Sequence, residues 1–195
     1  MKLAVVGAYG AGKTTLIREF TKSGCLPAVH GSPMRDPAGS RPKALEEVTP
    51  AELVQLVVRR YTERSVEEAL HPSGFVSDGS LLHEWVYASV RLSVGLHPVP
   101  GTALTPPAPE LLPYAEVVEA LGQEVKQRAF ATYDAFVHLP VEFPLNDAVK
   151  PISEHFRVLS DQLLLDELKA AGVTVFTLTG SVAERVAALS ELAGG

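Results

Sequence analysis

Residues Gly7-Ala8-Tyr9-Gly10-Ala11-Gly12-Lys13-Thr14 constrain this chain more than any other stretch. They fit the phosphate-binding pattern G-x-x-x-x-G-K-[ST] in the context that pattern needs. Residues 3–6, Leu-Ala-Val-Val, form a short apolar run that reads as a buried strand. Residues 15–20 read as a helix with Leu16, Ile17 and Phe20 on one face. The glycines let the backbone close into a nest of N–H donors that bulkier residues would obstruct. A helix opening at Gly12 aims its positive end at the same point. Lys13 adds a mobile charge for the outer phosphates, and the Thr14 hydroxyl is placed to touch Mg²⁺. The nucleotide-binding set predicted here is Gly7, Ala8, Tyr9, Gly10, Ala11, Gly12, Lys13, Thr14 and Thr15.

The 195 residues suit one α/β domain, residues 1–195. Hydrophobic residues make up 46% and charged residues 21%, the balance of a soluble, folded protein. A formal net charge of −6 argues against a broad nucleic-acid surface, which needs a basic face. The single cysteine, Cys25, rules out an internal disulfide and is expected to be a small buried hydrophobe. No apolar run approaches the ~18 residues of a membrane span, and no leader pattern precedes the first strand. The expected location is therefore the cytoplasm, and the chain is expected to act as a monomer or homodimer.

Strand and helix signals alternate along the chain. The first helix is expected to stop near Gly24, a left-handed cap. Residues 26–30 read as a second strand, and residues 31–42 as a Gly/Pro-rich loop carrying Arg35, Asp36 and Arg41. Thr49, Pro50 and Glu52 form a helix start with a capping box. Leu53, Leu56, Val57 and Tyr61 follow as the buried stripe, and Arg59, Arg60, Glu63, Arg64, Glu67 and Glu68 as a solvated face. Residues 75–77 read as a third strand ending in Asp78-Gly79. Residues 81–94 read as a helix with Trp85 in the core.

Six prolines between His97 and Pro113 block regular structure, so residues 95–113 are expected to form a long excursion, ordered or acting as a lid. A helix within residues 110–133 has Val117, Val118, Leu121 and Val125 inward. Residues 135–139 read as a fourth strand. A lid-like segment at 141–157 leads into a helix capped by Ser153. Residues 173–178 read as a fully buried fifth strand, and Ser181 with Glu184 opens the last helix. The predicted fold is α/β: a five-stranded parallel sheet with helices on both faces, its ligands at the carboxyl ends of the strands.

Several classes share such a phosphate loop. Regulatory GTPases read guanine through Asn-Lys-x-Asp, which does not occur here. Asp36-Pro37-Ala38-Gly39 matches Asp-x-x-Gly but follows the second strand, not the third. Ring-forming ATPases carry paired acidic residues after a long apolar strand and an extra helical domain, and neither is present. The remaining large class is the small kinases of nucleosides, nucleotides and related metabolites.

The motifs resemble one branch of that class, the nicotinamide-riboside-kinase-like, AAA-type group of P-loop ATP-binding proteins, which is related to deoxynucleoside kinases. Ser32-Pro33-Met34-Arg35-Asp36 resembles the group's Glu-Pro-x-Arg-Glu segment. Phe75-Val76-Ser77-Asp78-Gly79 resembles its strand ending in Asp-Arg. Tyr87 falls where the following helix has a tyrosine. Ala148-Val149-Lys150-Pro151 with Phe156-Arg157 resembles its basic lid, and Gly180-Ser181 with Glu184-Arg185 its closing helix. Gly79 and Ser32 depart from the pattern at positions that usually touch acceptor or phosphate.

The resemblance implies a three-layer P-loop fold of the nucleoside- and nucleotide-kinase type. It also implies Mg²⁺-dependent transfer of the γ-phosphoryl group of ATP, with GTP not excluded, to a hydroxyl of a nucleoside-like or specialised small metabolite. Lys13 holds the donor phosphates, and Thr14 and Asp78 hold the metal. Asp78 alternatively takes the acceptor proton, or simply caps the next helix. Arg35, Asp36 and Tyr87 grip the acceptor, and Lys150 and Arg157 close over the donor. The catalytic set is Lys13, Asp78 and Arg157. His83, one turn past Asp78, stays outside it, and the other histidines lack metal-ligand spacing. The rival reading is a regulatory nucleotide-binding switch with no small-molecule acceptor.

Overall fold

The computed structural model describes residues 1–30, 43–145 and 151–194. Five strands build one parallel sheet: β1 (Lys2–Val6), β2 (Ala28–His30), β3 (Phe75–Asp78), β4 (Ala135–His138) and β5 (Val175–Thr177). Their order is β2-β3-β1-β4-β5. β1 lies at the centre, with Val5 beside Asp78 of β3 and Val6 beside His138 of β4. The chain lays β2 and β3 on one side of β1 and then crosses to β4 and β5 on the other, so the crevice at the carboxyl end of β1 is where this topology receives a ligand.

The two faces of β1 go to two cores, as the period of a strand requires. Leu3 and Val5 pack with Leu16, Ile17 and Phe20 of α1 (Lys13–Phe20) and with Leu189 of α6 (Val182–Gly194). Ala4 and Val6 face the larger core under α2 (Pro50–Ala69), α3 (Leu82–Val94), α4 (Leu112–Thr132) and α5 (Glu154–Ala170). Helices therefore cover both faces, as the alternating pattern predicts.

Helix ends follow their sequence signals. Thr49 accepts from Glu52 N–H while Glu52 accepts from Thr49 N–H, a closed capping box ahead of Pro50. Ser153 accepts from Phe156 N–H, and Ser181 with Glu184 repeats the reciprocal bonds at α6. α1 ends in a 3₁₀ turn, Thr21–Ser23, before Gly24 at φ +72°.

Four expectations are corrected. β5 lies at the sheet edge and is half-buried or exposed, because no strand pairs beyond it. Cys25 is exposed, on the turn that leads to β2. Val117 is 47% exposed, since α4 turns Val118, Gly122, Val125 and Ala129 inward instead. Arg64 and Glu68 are buried at 5% and 3% exposure, not solvated, because they continue the stripe of Val57 and Tyr61 beyond its last apolar residue.

The proline-rich excursion is tied down on the side of α3 and α5. The Ser93 hydroxyl donates to Thr105 O and accepts from Thr105 N–H, while the Ser153 hydroxyl donates to Pro98 O. Among the described residues no helix is long and apolar enough to cross a membrane.

Candidate functional site

The loop between β1 and α1 is an open cradle. Gly7 sits at φ +135°, where a Cβ would stand 2.4 Å from Leu139 O, so no side chain fits at this turn. Gly12 caps α1 at φ +95°, and the helix begins at Lys13 with its first amides facing the cradle. Lys13 folds back, its Nζ donating to Gly7 O at 2.8 Å and Ala8 O at 2.9 Å. Burial is the largest influence on this ammonium and lowers its pKa from 10.5 to about 8, against the opposing pull of Asp78 and Asp161. Two carbonyls of the loop hold the lysine in this position.

Thr14, on the first turn of α1, donates its hydroxyl to Asp78 Oδ2 at 2.6 Å. Asp78 stands at the end of β3, the neighbour of β1, which brings the two side chains together across the crevice. A hydroxyl and a carboxylate are hard oxygen donors of the kind Mg²⁺ takes when it arrives with phosphates and water. Among the described residues no cluster of three or more acidic, histidine or cysteine side chains offers a self-sufficient metal cage. The donor set fits a cation delivered with its nucleotide.

Three residues that the sequence left outside the site support it from below. His83 on α3 receives the Ser80 N–H at Nδ1, 3.0 Å, so Nε2 carries the proton and donates to Gly7 O at 3.1 Å. Burial first and the Lys13 charge second hold its pKa well below the usual value, so this bond is made by a neutral ring. Arg64 reaches from α2 to donate to the Ser77 hydroxyl at 2.7 Å and to Asp78 O at 3.0 Å. Gly79 makes room for it, since a Cβ there would lie 3.2 Å from Arg64 Nη2. Arg185 on α6 donates to Ala11 O at 3.3 Å and pairs with Glu142 at 2.5 Å.

Arg157 is 1% exposed. Its Nε donates to Tyr9 O at 2.7 Å, and its Nη1 to Phe143 O at 3.0 Å and Glu154 at 2.6 Å. Nη2 is buried without a partner among the described residues, beside Gly10. The arginine thus grips the wall of the cradle and keeps one donor uncommitted. Arg35, Asp36 and Lys150 lie outside the described residues.

Lys13, Thr14, Thr15, Asp78 and His83 line one cleft of about 430 Å³. A second cavity of about 210 Å³ adjoins it, and Tyr9, Glu84 and Tyr87 line both. Tyr87 reaches both spaces from α3, and burial pushes its hydroxyl pKa upward. Glu84, which sequence reading passed over, pairs with Arg60 at 2.9 Å at this junction. Its one signal was helical spacing, three residues before Tyr87.

A family model described as an AAA domain matches residues 2–185. No curated protein matches the chain in sequence. Among solved structures, a deoxyadenosine kinase from M. mycoides with bound dATP superposes with a TM-score of 0.64 at 13% identity, covering 100% of both chains. The same kinase with dCMP and a flexible dCDP gives a TM-score of 0.62 at 13% identity, over 100% of this chain and 99% of that one. With dCTP the values are 0.60 and 12%, over the same shares. At this identity the likeness is one of fold: the chain has the architecture of a P-loop deoxynucleoside kinase.

Proposed function

The chain belongs to the AAA-domain family, and from that premise we propose that it is a phosphotransferase moving the γ-phosphoryl group of ATP or GTP to a hydroxyl of a small metabolite. The observation that carries the reading is the pairing of two spaces. A cleft holding Lys13, Thr14 and Asp78 opens onto a second cavity through Tyr9, Glu84 and Tyr87. A switch that only hydrolyses its nucleotide into water has no use for the second space. The fold shared with a kinase that binds dATP supports the same assignment.

Phosphoryl transfer is mostly positioning and charge neutralisation. The amides of residues 7–13 and the start of α1 hold the donor's phosphates, and Lys13 leaves its two carbonyls to meet them. Arg157 Nη2, beside Gly10, donates to the same group. Thr14 and Asp78 would hold Mg²⁺, which would supply Lewis-acid screening of the phosphate charges. His83 and Arg64 fix the backbone at Gly7 and Asp78, so the two halves of the site keep their spacing. Tyr87 lines the space where the acceptor lies.

The test is transfer itself. Purified protein with Mg²⁺, labelled ATP and a panel of alcohols should yield a phosphorylated acceptor, and Lys13→Ala should abolish it and weaken nucleotide binding. Normal turnover by Lys13→Ala, or hydrolysis to water that no acceptor stimulates, overturns the proposal.

A further inference from the structure

Two carboxylates face the cleft among its described lining, and they stand in different positions. Asp78 is engaged with the hydroxyl of Thr14 on the metal side. Glu84 lies on the other side, at the passage into the inner cavity, with its side chain 14% exposed. Arg60 fixes its direction through a 2.9 Å bond to Oε2. A group that enters the cleft from the inner cavity passes Glu84 before it reaches Asp78.

The inner cavity also says what enters. Its body is formed by Leu53, Leu56, Val57, Leu96, Ile152 and Phe156. Arg60 is turned to Glu84, and Arg91 donates to Val48 O at 2.5 Å. The described lining holds no asparagine or glutamine, the side chains that read the edge of a base with paired donor and acceptor. Its 210 Å³ falls below the ~300–1,000 Å³ of sites for drug-sized ligands.

We infer that the inner cavity receives a compact, mainly apolar alcohol, not a nucleoside, and that Glu84 at its mouth takes the proton of the reacting hydroxyl. The inference rests on the kinase reading above. In the step, the alcohol oxygen forms a bond to the γ-phosphorus as its proton passes to the Glu84 carboxylate. The bond from that phosphorus to the bridging oxygen breaks, and its electron pair leaves on the nucleoside diphosphate. Proton acceptance of this kind contributes on the order of 10²–10⁴ in rate.

The experiment uses the full chain with Mg-ATP and four probes: hexan-1-ol, 3-phenylpropan-1-ol, deoxyadenosine and deoxycytidine. ADP release and phosphorus NMR of the product are read together. The two apolar alcohols should be phosphorylated and the nucleosides should not. Glu84→Gln should lower kcat on the better alcohol by about 100-fold or more. Binding of a fluorescent nucleotide should stay at the wild-type level, which also reports that the variant folds. Glu84→Asp, which keeps a carboxylate, should recover part of the rate. Turnover of nucleosides in place of the alcohols overturns the inference and leaves the kinase reading standing. A Glu84→Gln kcat within about threefold of wild type overturns it too. Nucleotide binding without transfer to any probe, and none on a wider acceptor panel, removes the kinase reading and this inference with it.

Discussion

Thr14 on α1 and Asp78 on β3 are 64 residues apart in sequence, and their side-chain oxygens lie 2.6 Å apart. Parallel pairing of β1 with β3 produces this approach, because it ends both strands at the same height, with Val5 opposite Asp78. The contact joins the helix that follows one strand to the end of the next. In the proposed function, a cation bound there would be held by both halves.

Replacing either side of that contact should therefore raise the Mg²⁺ requirement. Thr14→Val keeps the shape and removes the hydroxyl, and Asp78→Asn keeps the shape and removes the charge. Each should raise the Mg²⁺ concentration for half-maximal rate by roughly 10–100-fold, the range seen when a metal's polar partners are lost. Because the residues act as one unit, the double variant should fall short of the sum of the two. The check is a Mg²⁺ titration of rate and of nucleotide binding. An Asp78→Asn enzyme with an unchanged Mg²⁺ requirement and a lost kcat would place the proton acceptor at Asp78.

Lys13 predicts a pH dependence of nucleotide affinity. Burial lowers its pKa to about 8 in the free protein, while an unfolded lysine titrates near 10.5. The negative phosphates favour the ammonium, so the bound state has the higher pKa. Nucleotide binding should take up a proton above about pH 8, and affinity should fall by about tenfold per pH unit there until the bound-state pKa is reached. Calorimetry in buffers of different ionisation enthalpy measures the uptake. In the ligand-free protein the sign is opposite to that of a paired lysine. Between about pH 8 and 10.5 the unfolded chain binds the extra proton, so this group's contribution to stability rises with pH. Zero proton uptake at pH 8.5 would contradict the account.

Arg157 should matter before any ligand is present. Its Nε and Nη1 hold Tyr9 O, Phe143 O and Glu154, so Arg157→Met removes the bonds by which a buried cation ties the loops together. The expected cost is about 1–3 kcal/mol, read as a lower Tm in the absence of nucleotide. Arg157→Lys keeps the charge but loses the fork, and should recover little of it. An arginine serving only to close over the donor would leave the ligand-free Tm unchanged.

Much of this architecture was legible because it is local. The cradle from Gly7 to Thr14, the caps at Thr49, Ser153 and Ser181, and the strand ending at Asp78 each follow from a few neighbouring residues, and each stands where the sequence put it. The parallel sheet followed from the alternation of strand and helix. What stayed hidden depends on which elements meet. Arg64 and Glu68 carry the charges of a solvated face, yet they lie on the helical spacing of Val57 and Tyr61 and become buried once α2 packs beside β3. His83 is one histidine among six until α3 brings it under Gly7. β5 reads as buried by composition, but nothing in its own residues says that it closes the sheet. Glu84 gains its place only where the two cavities join.

The network behind Asp78 supplies the last prediction. Glu68 Oε1 accepts from the Tyr133 hydroxyl at 2.6 Å and from Ser77 at 3.1 Å, and Ser77 in turn accepts from Arg64. Glu68 Oε2 is buried without a partner among the described residues, and burial raises the pKa of the carboxyl. A raised folded-state pKa means that the folded chain binds the proton more tightly than the unfolded one. Glu68 therefore takes stability away as pH rises from the unfolded value of about 4.5 through the folded one. Glu68→Gln keeps an acceptor for Tyr133 and Ser77 and removes the titration. Its Tm relative to wild type should climb across that window, and at neutral pH it should be no less stable by more than about 1 kcal/mol. Glu68→Leu, which leaves Tyr133 and Ser77 without their acceptor, should cost more at every pH. Thermal unfolding from pH 4 to 8 separates the cases, and parallel Tm curves for wild type and Glu68→Gln would show that the carboxyl does not titrate differently on folding.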